Sequence, residues 1–62
     1  MFEFAVYTEK MKEKGDNFFW VVARGTKKLM QEWMEAYSNN QETIACKIRR
    51  KKDKAIVAEY HR

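Results

Sequence analysis

The chain has few of the residues that build metal sites, disulfides and phosphate-binding loops. Its 62 residues include one cysteine, one histidine, no proline and two glycines, Gly15 and Gly25, which stand apart from each other. A single cysteine cannot form an internal disulfide, and a zinc site needs about three or four Cys, His or carboxylate ligands. Phosphate-cradling loops need clustered glycines. We therefore expect no metal, no other cofactor and a reducing, intracellular location.

Long apolar runs are also missing. The first residues lack the basic start and the roughly 7–15-residue apolar stretch of a signal peptide, and no apolar run approaches the roughly 20 residues that span a bilayer. The sequence therefore predicts a soluble protein with no membrane association.

Groups that could carry catalysis are scarce. His61 stands beside the cation Arg62, as a base does in some ribonucleases, but acid–base catalysis needs a second positioned group and nothing in the sequence pairs with His61. Cys46 falls on the apolar side of a predicted strand, whereas a reactive thiol needs an accessible, electropositive setting. We interpret His61 as a solvated chain end and Cys46 as core, and we predict that the protein is not an enzyme.

What the chain does have is apolar and aromatic content. It is 45% hydrophobic and 15% aromatic, which is the composition of a folding chain. We expect residues 1–62 to form a single domain, because a chain of this length is too short for two cores. A deep substrate cavity is hard to build at this size, so the expected function is recognition by surface contact.

The N-terminal part of the chain predicts a β-hairpin. Apolar and other residues alternate over 2–7, which is typical of a half-buried strand, and 8–12 are expected to extend it as a polar segment. Residues 13–17 form a predicted turn rich in residues that favour chain reversal. Residues 18–23 form the second strand, which is apolar on both faces. Because one helix covers only one face of a small sheet, Phe19 or Trp20 should stay partly exposed.

A helix should follow from Lys27 to about Ser38, with Thr26 accepting a hydrogen bond from its first turn. The segment contains no glycine, and four apolar residues recur at i, i+3, i+4 and i+7: Met30, Trp33, Met34 and Tyr37. This stripe is the face expected to pack on the sheet. Asn39 and Asn40 should end the helix, since Asn accepts the left-handed conformation found at helix ends.

Two further strands, 42–49 and 55–60, should form a second hairpin around a basic turn. The predicted order is ββαββ, an α+β fold in which two antiparallel hairpins flank a single helix that packs on one side. The pattern leaves open whether the strands form one sheet or two small ones.

The second hairpin holds most of the excess positive charge. Residues 47–54 contain six basic residues and one acidic residue, a charge of +5, while the whole chain carries +4. Charge at an exposed turn can simply keep an edge strand from pairing with other chains, but it can also bind nucleic-acid phosphates or an acidic protein surface. Lys27 and Lys28 add to the signal, because cations at a helix N-terminus oppose its macrodipole and a bound anion would relieve that conflict. The candidate anion-contact residues are Lys27, Lys28, Arg49, Arg50, Lys51, Lys52 and Lys54.

The aromatic residues of the predicted helix have two interpretations. Trp33 and Tyr37, at helical spacing, are typical of core packing. However, a sheet of this length has little room to bury Trp20, Trp33 and Tyr37 together, and an exposed aromatic is a natural interface anchor.

The chain combines the ββαββ order with a helix carrying Trp33 and then Tyr37, an Asn shortly after it at Asn39 or Asn40, and a last strand that ends in residues 58–62, Ala-Glu-Tyr-His-Arg. In these features it resembles the Dmd antitoxins (discriminator of mRNA degradation) of T-even-like bacteriophages, over the whole chain in architecture and from the helix to the C-terminus in sequence.

The resemblance implies an inhibitor that acts in the cytoplasm of the infected bacterial host. Members of this family bind bacterial ribonuclease toxins of the RnlA and LsoA kind and occupy a groove, so that phage mRNA cannot reach the active site. By position the resemblance assigns toxin contact to Trp33, Tyr37 and Asn40, with Asn39 and Gln41 as alternatives to Asn40. A cationic turn does not fit charge mimicry of RNA, which favours occupation of the groove by shape. The alternative is a small RNA- or DNA-binding module that acts through the hairpin of residues 47–54.

Overall fold

The computed structural model describes all 62 residues as a four-stranded antiparallel sheet with two helices. The elements in chain order are β1 (Phe2–Thr8), α1 (Glu9–Glu13), β2 (Trp20–Gly25), α2 (Lys27–Ser38), β3 (Thr43–Arg50) and β4 (Ile56–His61). The predicted α+β class, the ββαββ order of the main elements, the two antiparallel hairpins and the packing of α2 on one side are all confirmed.

The four strands form one sheet in the order β2-β1-β3-β4. The N-terminal strand β1 therefore lies in the interior of the sheet and pairs with β2 on one side and β3 on the other. Phe4, for example, lies opposite Ala23 of β2 and Ile48 of β3. This central pairing joins the two hairpins, a point that the sequence pattern left open.

The core lies between α2 and one face of the sheet. It consists of one helix residue and four strand residues, Met30, Phe4, Val6, Cys46 and Ile48. The prediction that Cys46 is core is confirmed, since its residue surface is only 1% exposed. Burial raises the pKa of the Cys46 thiol to about 11, because a thiolate loses its hydration in an apolar environment.

Helix α2 begins as the sequence predicts. The Thr26 hydroxyl accepts a hydrogen bond from the Leu29 N–H at 3.1 Å, which satisfies one of the free donors of the first turn. The helix ends at the predicted place but by a different geometry. Asn39 has φ −86° and is right-handed, so the expected left-handed ending is wrong. The Asn40 side chain instead closes the following turn, where its Oδ1 accepts from the Glu42 N–H at 2.8 Å.

The predicted polar extension of β1 over residues 8–12 holds only for Thr8, where β1 ends; it is wrong from Glu9 onward, because Glu9–Glu13 form α1. Thr8 is extended, with φ −120° and ψ 167°, and its hydroxyl accepts from the Met11 N–H at 3.4 Å. The helical turn buries Met11, the one apolar side chain of this charged segment. The turn that follows includes Gly15 at φ 86°, a conformation in which glycine meets no Cβ penalty.

Strand β2 begins later than predicted, at Trp20 instead of Phe18. Phe18 stacks on Trp20 at a centroid distance of 6.5 Å, and the two side chains are 56% and 50% exposed. The expectation that an aromatic of this segment stays exposed is therefore confirmed. The register of β2 against β1 shifts between Phe4 and Ala5, an irregularity that discourages strand addition at a sheet edge.

The sheet face opposite α2 is called the open face below. It carries the alternate residues of β1, namely Glu3, Ala5 and Tyr7, and their cross-strand partners. The segment between α1 and β2 folds over part of this face. The Tyr7 hydroxyl donates to the Asp16 carbonyl at 2.6 Å, and the Phe19 ring lies 6.0 Å from the Tyr7 ring, under the Lys47 ammonium.

Candidate functional site

An apolar groove runs along the surface of α2. It has a volume of about 340 Å³ and is lined by Leu29, Glu32, Trp33, Ala36 and Tyr37. Positions four apart share one face of a helix, which brings Leu29, Trp33 and Tyr37 into one row. Leu29 is 43% exposed and Trp33 is 37% exposed. The row is therefore an apolar surface that no other part of this chain covers.

The exposed Trp33 ring is held in place by two other aromatic rings. Trp33 stacks on Tyr37 at 6.0 Å with an interplanar angle of 22°, and both lie against Phe4, at 6.3 Å and 5.3 Å. Phe4 is fully buried in the core. Because this aromatic cluster is anchored in the core, Trp33 presents a ring of restricted mobility, which lowers the entropy cost of using it in an interface.

Core packing describes one of these two residues better, and surface contact describes the other. Tyr37 is half-buried and packs against the core cluster, as helical spacing predicts, while its edge lines the groove. Trp33 has more than a third of its surface exposed. The structure places these two candidate contact residues side by side.

The third candidate, Asn40, lies just beyond the end of α2 in a separate polar cleft. The cleft has a volume of about 460 Å³ and is lined by Ser38, Asn39, Asn40, Gln41, Tyr60 and Arg62. Two hydrogen bonds join residues that line the cleft. The Tyr60 hydroxyl donates to the Ser38 carbonyl at 3.3 Å, and Arg62 Nη1 donates to the Gln41 carbonyl at 3.0 Å. Asn40 and its alternatives Asn39 and Gln41 are therefore all exposed in the same cleft, next to the Tyr37 end of the groove.

A buried carboxylate organises the other side of the molecule. Glu3 is 2% exposed and lies on the open face between Arg24 of β2 and Arg49 of β3. Its Oε2 accepts from Arg24 Nε at 2.8 Å, its Oε1 accepts from Arg49 Nε at 2.9 Å, and Lys54 Nζ lies 3.5 Å from Oε1. We call these four residues the Glu3 cluster. The carboxylate thus holds together three cations, one from β2, one from β3 and one from the turn between β3 and β4.

The cations control the ionisation of Glu3. The hydrogen bond from Arg24 lowers the pKa most; burial opposes it, and the hydrogen bond from Arg49 and the charge of Lys54 lower the pKa further, to about 2. Glu3 is therefore ionised at neutral pH. The cluster keeps a net charge of +2 because three cations surround one anion.

The remaining candidate cations lie at the same end of the sheet as the Glu3 cluster. Phe2 pairs with both Gly25 and Arg50, so the start of α2 and the β3–β4 turn flank the first residues of β1. The Lys51 N–H also donates to the Met1 carbonyl at 3.0 Å. We call this end the basic pole. Its cations are Arg24, Lys27, Lys28, Arg49, Arg50, Lys51, Lys52 and Lys54.

The basic pole carries more positive charge than the chain as a whole. It holds eight of the thirteen cations and only two of the nine acidic residues, Glu3 and Asp53, so it carries +6 against −2 for the rest of the chain. Arg50 is paired with Asp53 at 3.1 Å, whereas Lys27, Lys28, Lys51 and Lys52 are exposed and form no ion pair. The structure thus brings together all seven cations that the sequence singled out.

Sequence reasoning missed Glu3 and Arg24. The alternation of β1 places Glu3 on the outward face, where a charged residue is ordinarily solvated. Only the sheet order reveals that Glu3 has a basic residue on each neighbouring strand. No local pattern in the sequence carries this information, because Arg49 is 46 positions from Glu3.

The scarce reactive groups do not converge on a site. His61 is exposed, and the nearest carboxylate oxygen, of Glu59, lies 3.9 Å from its Nε2. No three His, Cys, Asp or Glu side chains approach one another closely enough to hold a metal ion. Neither helix has the length and apolar character needed to cross a membrane.

The fold and its surfaces define a small α+β protein with an aromatic groove on its helix and a basic pole at one end of its sheet. In comparisons with known proteins, the chain matches no family model, no curated protein and no solved structure.

Proposed function

We propose that this protein is an inhibitor of a protein partner and that it binds this partner through the groove of α2 and the adjoining polar cleft. The observation that carries the proposal is the exposed Trp33 ring, which is stacked on Tyr37 and anchored on the buried Phe4. Trp and Tyr dominate the binding energy of protein interfaces when they are held rigidly and surrounded by contacts that exclude water.

The partner we propose is a bacterial endoribonuclease toxin of the RnlA and LsoA kind, which would make the protein a phage antitoxin. The support is the resemblance to the Dmd antitoxins, together with the proximity of Trp33, Tyr37 and Asn40 on one side of the molecule. Inhibition would consist of occupying the RNA-binding groove of the toxin, with no chemistry performed by the antitoxin.

The charge distribution supports binding of the α2 surface in the RNA-binding groove of the toxin. A groove that binds RNA is expected to be cationic, because it must neutralise phosphates. Beyond its first turn, α2 carries two acidic residues, Glu32 and Glu35, and no cation. The Glu3 cluster lies on the opposite sheet face. The α2 surface beyond its first turn can therefore enter a cationic groove while the Glu3 cluster, on the opposite sheet face, stays outside it.

The test is an RNA-cleavage assay with a purified toxin of this kind and increasing amounts of the protein. Stoichiometric loss of cleavage is expected, and unchanged cleavage at an excess of the protein rejects the antitoxin assignment. Trp33→Ala should weaken binding by about 2 kcal/mol or more, which is roughly 30-fold or more in Kd.

The chain provides a matched control for this variant. Trp20 is 50% exposed on the edge strand β2 and does not line the groove, so Trp20→Ala removes a similar exposed ring from outside the groove and should leave the affinity unchanged. Circular dichroism should show that both variants are folded. Equal losses for both variants, or an unaltered affinity for folded Trp33→Ala, would reject the α2 surface as the binding site.

A further inference from the structure

We infer that the basic pole is a second binding surface, which takes the phosphate backbone of a single-stranded nucleic acid. This inference goes beyond inhibition of a protein partner, because it concerns a different surface and a different ligand. It rests on the placement of the cations, on the way the Glu3 cluster fixes them and on the composition of the surface around them.

The cations are arranged on a rigid base. Arg24 and Arg49 lie on strands separated by β1, so their backbones are about 10 Å apart, or two strand spacings. Each donates to the same buried carboxylate. A guanidinium that is already held in place loses little conformational entropy when it binds a phosphate. The Glu3 cluster therefore provides a preorganised cationic floor with a net charge of +2.

Four more cations at the same end of the sheet are exposed, form no ion pair and are free to contact a ligand. Lys51 and Lys52 lie in the β3–β4 turn, and Lys27 and Lys28 lie in the first turn of α2, which contains no acidic residue. Lys47 is the next cation along β3, two residues or about 7 Å from Arg49, but it lies opposite Glu59 of β4 and over the Phe19 ring, so the array of cations ends at the pole.

The composition of the pole favours a nucleic acid over an acidic protein. Protein interfaces are depleted of charge at their centre and rich in aromatic residues, whereas nucleic-acid interfaces are more polar and far more positive. Of the seven large exposed apolar side chains, Phe18, Trp20, Val22, Leu29 and Trp33 lie on β2, just before it or on α2, while the aliphatic Met1 and Ile56 lie at the pole end of the sheet. The pole itself has a charge of +6 and no exposed aromatic residue, so it can contact phosphates but offers no platform for base stacking.

The shape of the pole favours a single strand over a duplex. Reading a duplex requires a helix or a two-stranded ribbon that enters a groove about 8.5 Å deep. Strand β3 is paired with β1 as far as Arg50 and with β4 as far as Arg49. Only the short turn 51–55 extends beyond the sheet, and its Lys51 N–H is tied to Met1. The turn is too short to fill such a groove, so the pole cannot read the bases of a duplex. A flexible single strand can bend to bring its phosphates to cations on both sides of the sheet end, which a stiff duplex cannot do.

The test is fluorescence anisotropy of a labelled 20-nucleotide oligouridylate, titrated with the full chain between 50 and 200 mM salt. Four phosphate contacts predict a log–log slope of about −3, which corresponds to a loss of roughly 60-fold in affinity over this range. A slope near zero, or no binding at 50 mM salt, would overturn the inference.

Two double variants with the same change of charge locate the surface. Lys51→Gln/Lys52→Gln should reduce the magnitude of the slope by about 1.4 and weaken binding at 50 mM salt at least tenfold. Lys10→Gln/Lys12→Gln removes two exposed cations from α1, at the opposite end of β1, and should change the affinity by less than a factor of about two. Equal losses for both double variants would show a general effect of net charge and would overturn the assignment to the pole.

Competition experiments separate the ligand classes. A 20-nucleotide oligothymidylate should compete as well as the oligouridylate, because the contacts are to phosphate. Polyglutamate that competes equally at the same charge concentration would instead assign the pole to an acidic protein, and tighter binding of a 20-base-pair duplex would contradict the single-strand assignment. Trp33→Ala should bind the oligonucleotide normally, so this inference and the proposed inhibitor function fail independently.

Discussion

Glu3 and Arg49 lie directly opposite each other on β1 and β3, and the Arg49 guanidinium donates to the Glu3 carboxylate at 2.9 Å. The residues are 46 positions apart in the chain. The pair therefore ties the N-terminal strand to the C-terminal hairpin. With Arg24 and Lys54 completing the cluster, a carboxylate that is almost fully buried is surrounded by positive charge.

This cluster predicts that the protein loses stability in acid. The pKa of Glu3 is lowered from 4.5 to about 2 in the folded protein, so over this range the unfolded chain binds more protons than the folded one. The stabilisation is complete above pH 4.5 and is lost as the pH falls through this range toward 2. Because the Arg24 and Lys54 side chains are more than half exposed, solvent screens the cluster, and we expect the loss to be about 1–2 kcal/mol.

Urea unfolding followed by circular dichroism at pH 7, 4.5, 3 and 2 would measure this loss. Glu3→Gln removes one titrating group, so the dependence on pH between 4.5 and 2 should be clearly smaller in that variant, whose stability at pH 7 should also be lower; Asp53, whose pKa is lowered by the hydrogen bond from the Ala55 N–H, keeps the remainder. Lys54→Gln, which removes the most distant and exposed partner, should give an intermediate result. A wild-type stability that does not change between pH 4.5 and 2 would contradict the role of Glu3.

The thiol of Cys46 should be unreactive in the folded protein. Cys46 is 1% exposed, and its pKa is raised to about 11, so both access and thiolate formation are suppressed. At pH 8 a disulfide reagent such as dithionitrobenzoate should react over hours with the native protein and within seconds in denaturant. Rapid reaction under native conditions, at a rate unaffected by added urea, would show that the strand face carrying Cys46 is accessible.

Helix α2 should become more stable when its N-terminal cations are replaced. Its first turn contains Lys27 and Lys28 and no acidic residue, which opposes the helix macrodipole. Lys28→Glu should therefore raise the free energy of unfolding by about 0.5 kcal/mol at low salt. The same substitution should weaken oligonucleotide binding, because it removes a cation of the basic pole.

Thermal unfolding of Lys28→Glu at 50 and 500 mM salt would test whether the gain in stability comes from the helix macrodipole. The gain in stability should shrink at high salt, because exposed charges are screened. Lys28→Gln is the matched control and should show roughly half the gain. A Lys28→Glu protein that is less stable than the wild type at low salt would mean that Lys28 stabilises the helix in another way.

Much of the fold could be predicted because its signals are local. The capping of α2 by Thr26 and its helical spacing depend on residues within a few positions of one another, and the bounds Lys27–Ser38 agree with the structure. The prediction failed at α1, because a single buried Met11 in a charged segment is too weak a pattern to outweigh the continuation of a strand. It also failed for the geometry of Asn39, because the hydrogen bonds made by Asn40 replace a left-handed ending.

Some properties of the candidate surfaces could likewise be predicted from the sequence, and others could not. Composition and spacing alone determined that the chain folds as α+β, that it has few reactive groups, and that its excess charge lies near the last hairpin. Only the tertiary structure decided that Trp33 is exposed while Tyr37 packs on the core, that Lys27 and Lys28 join the hairpin cations, and that Glu3 is buried among three of the basic residues. The physical reason is that these relationships depend on the order and register of the strands. Pairing of β1 with β3 is a contact between distant parts of the chain, and no pattern of neighbouring residues encodes it.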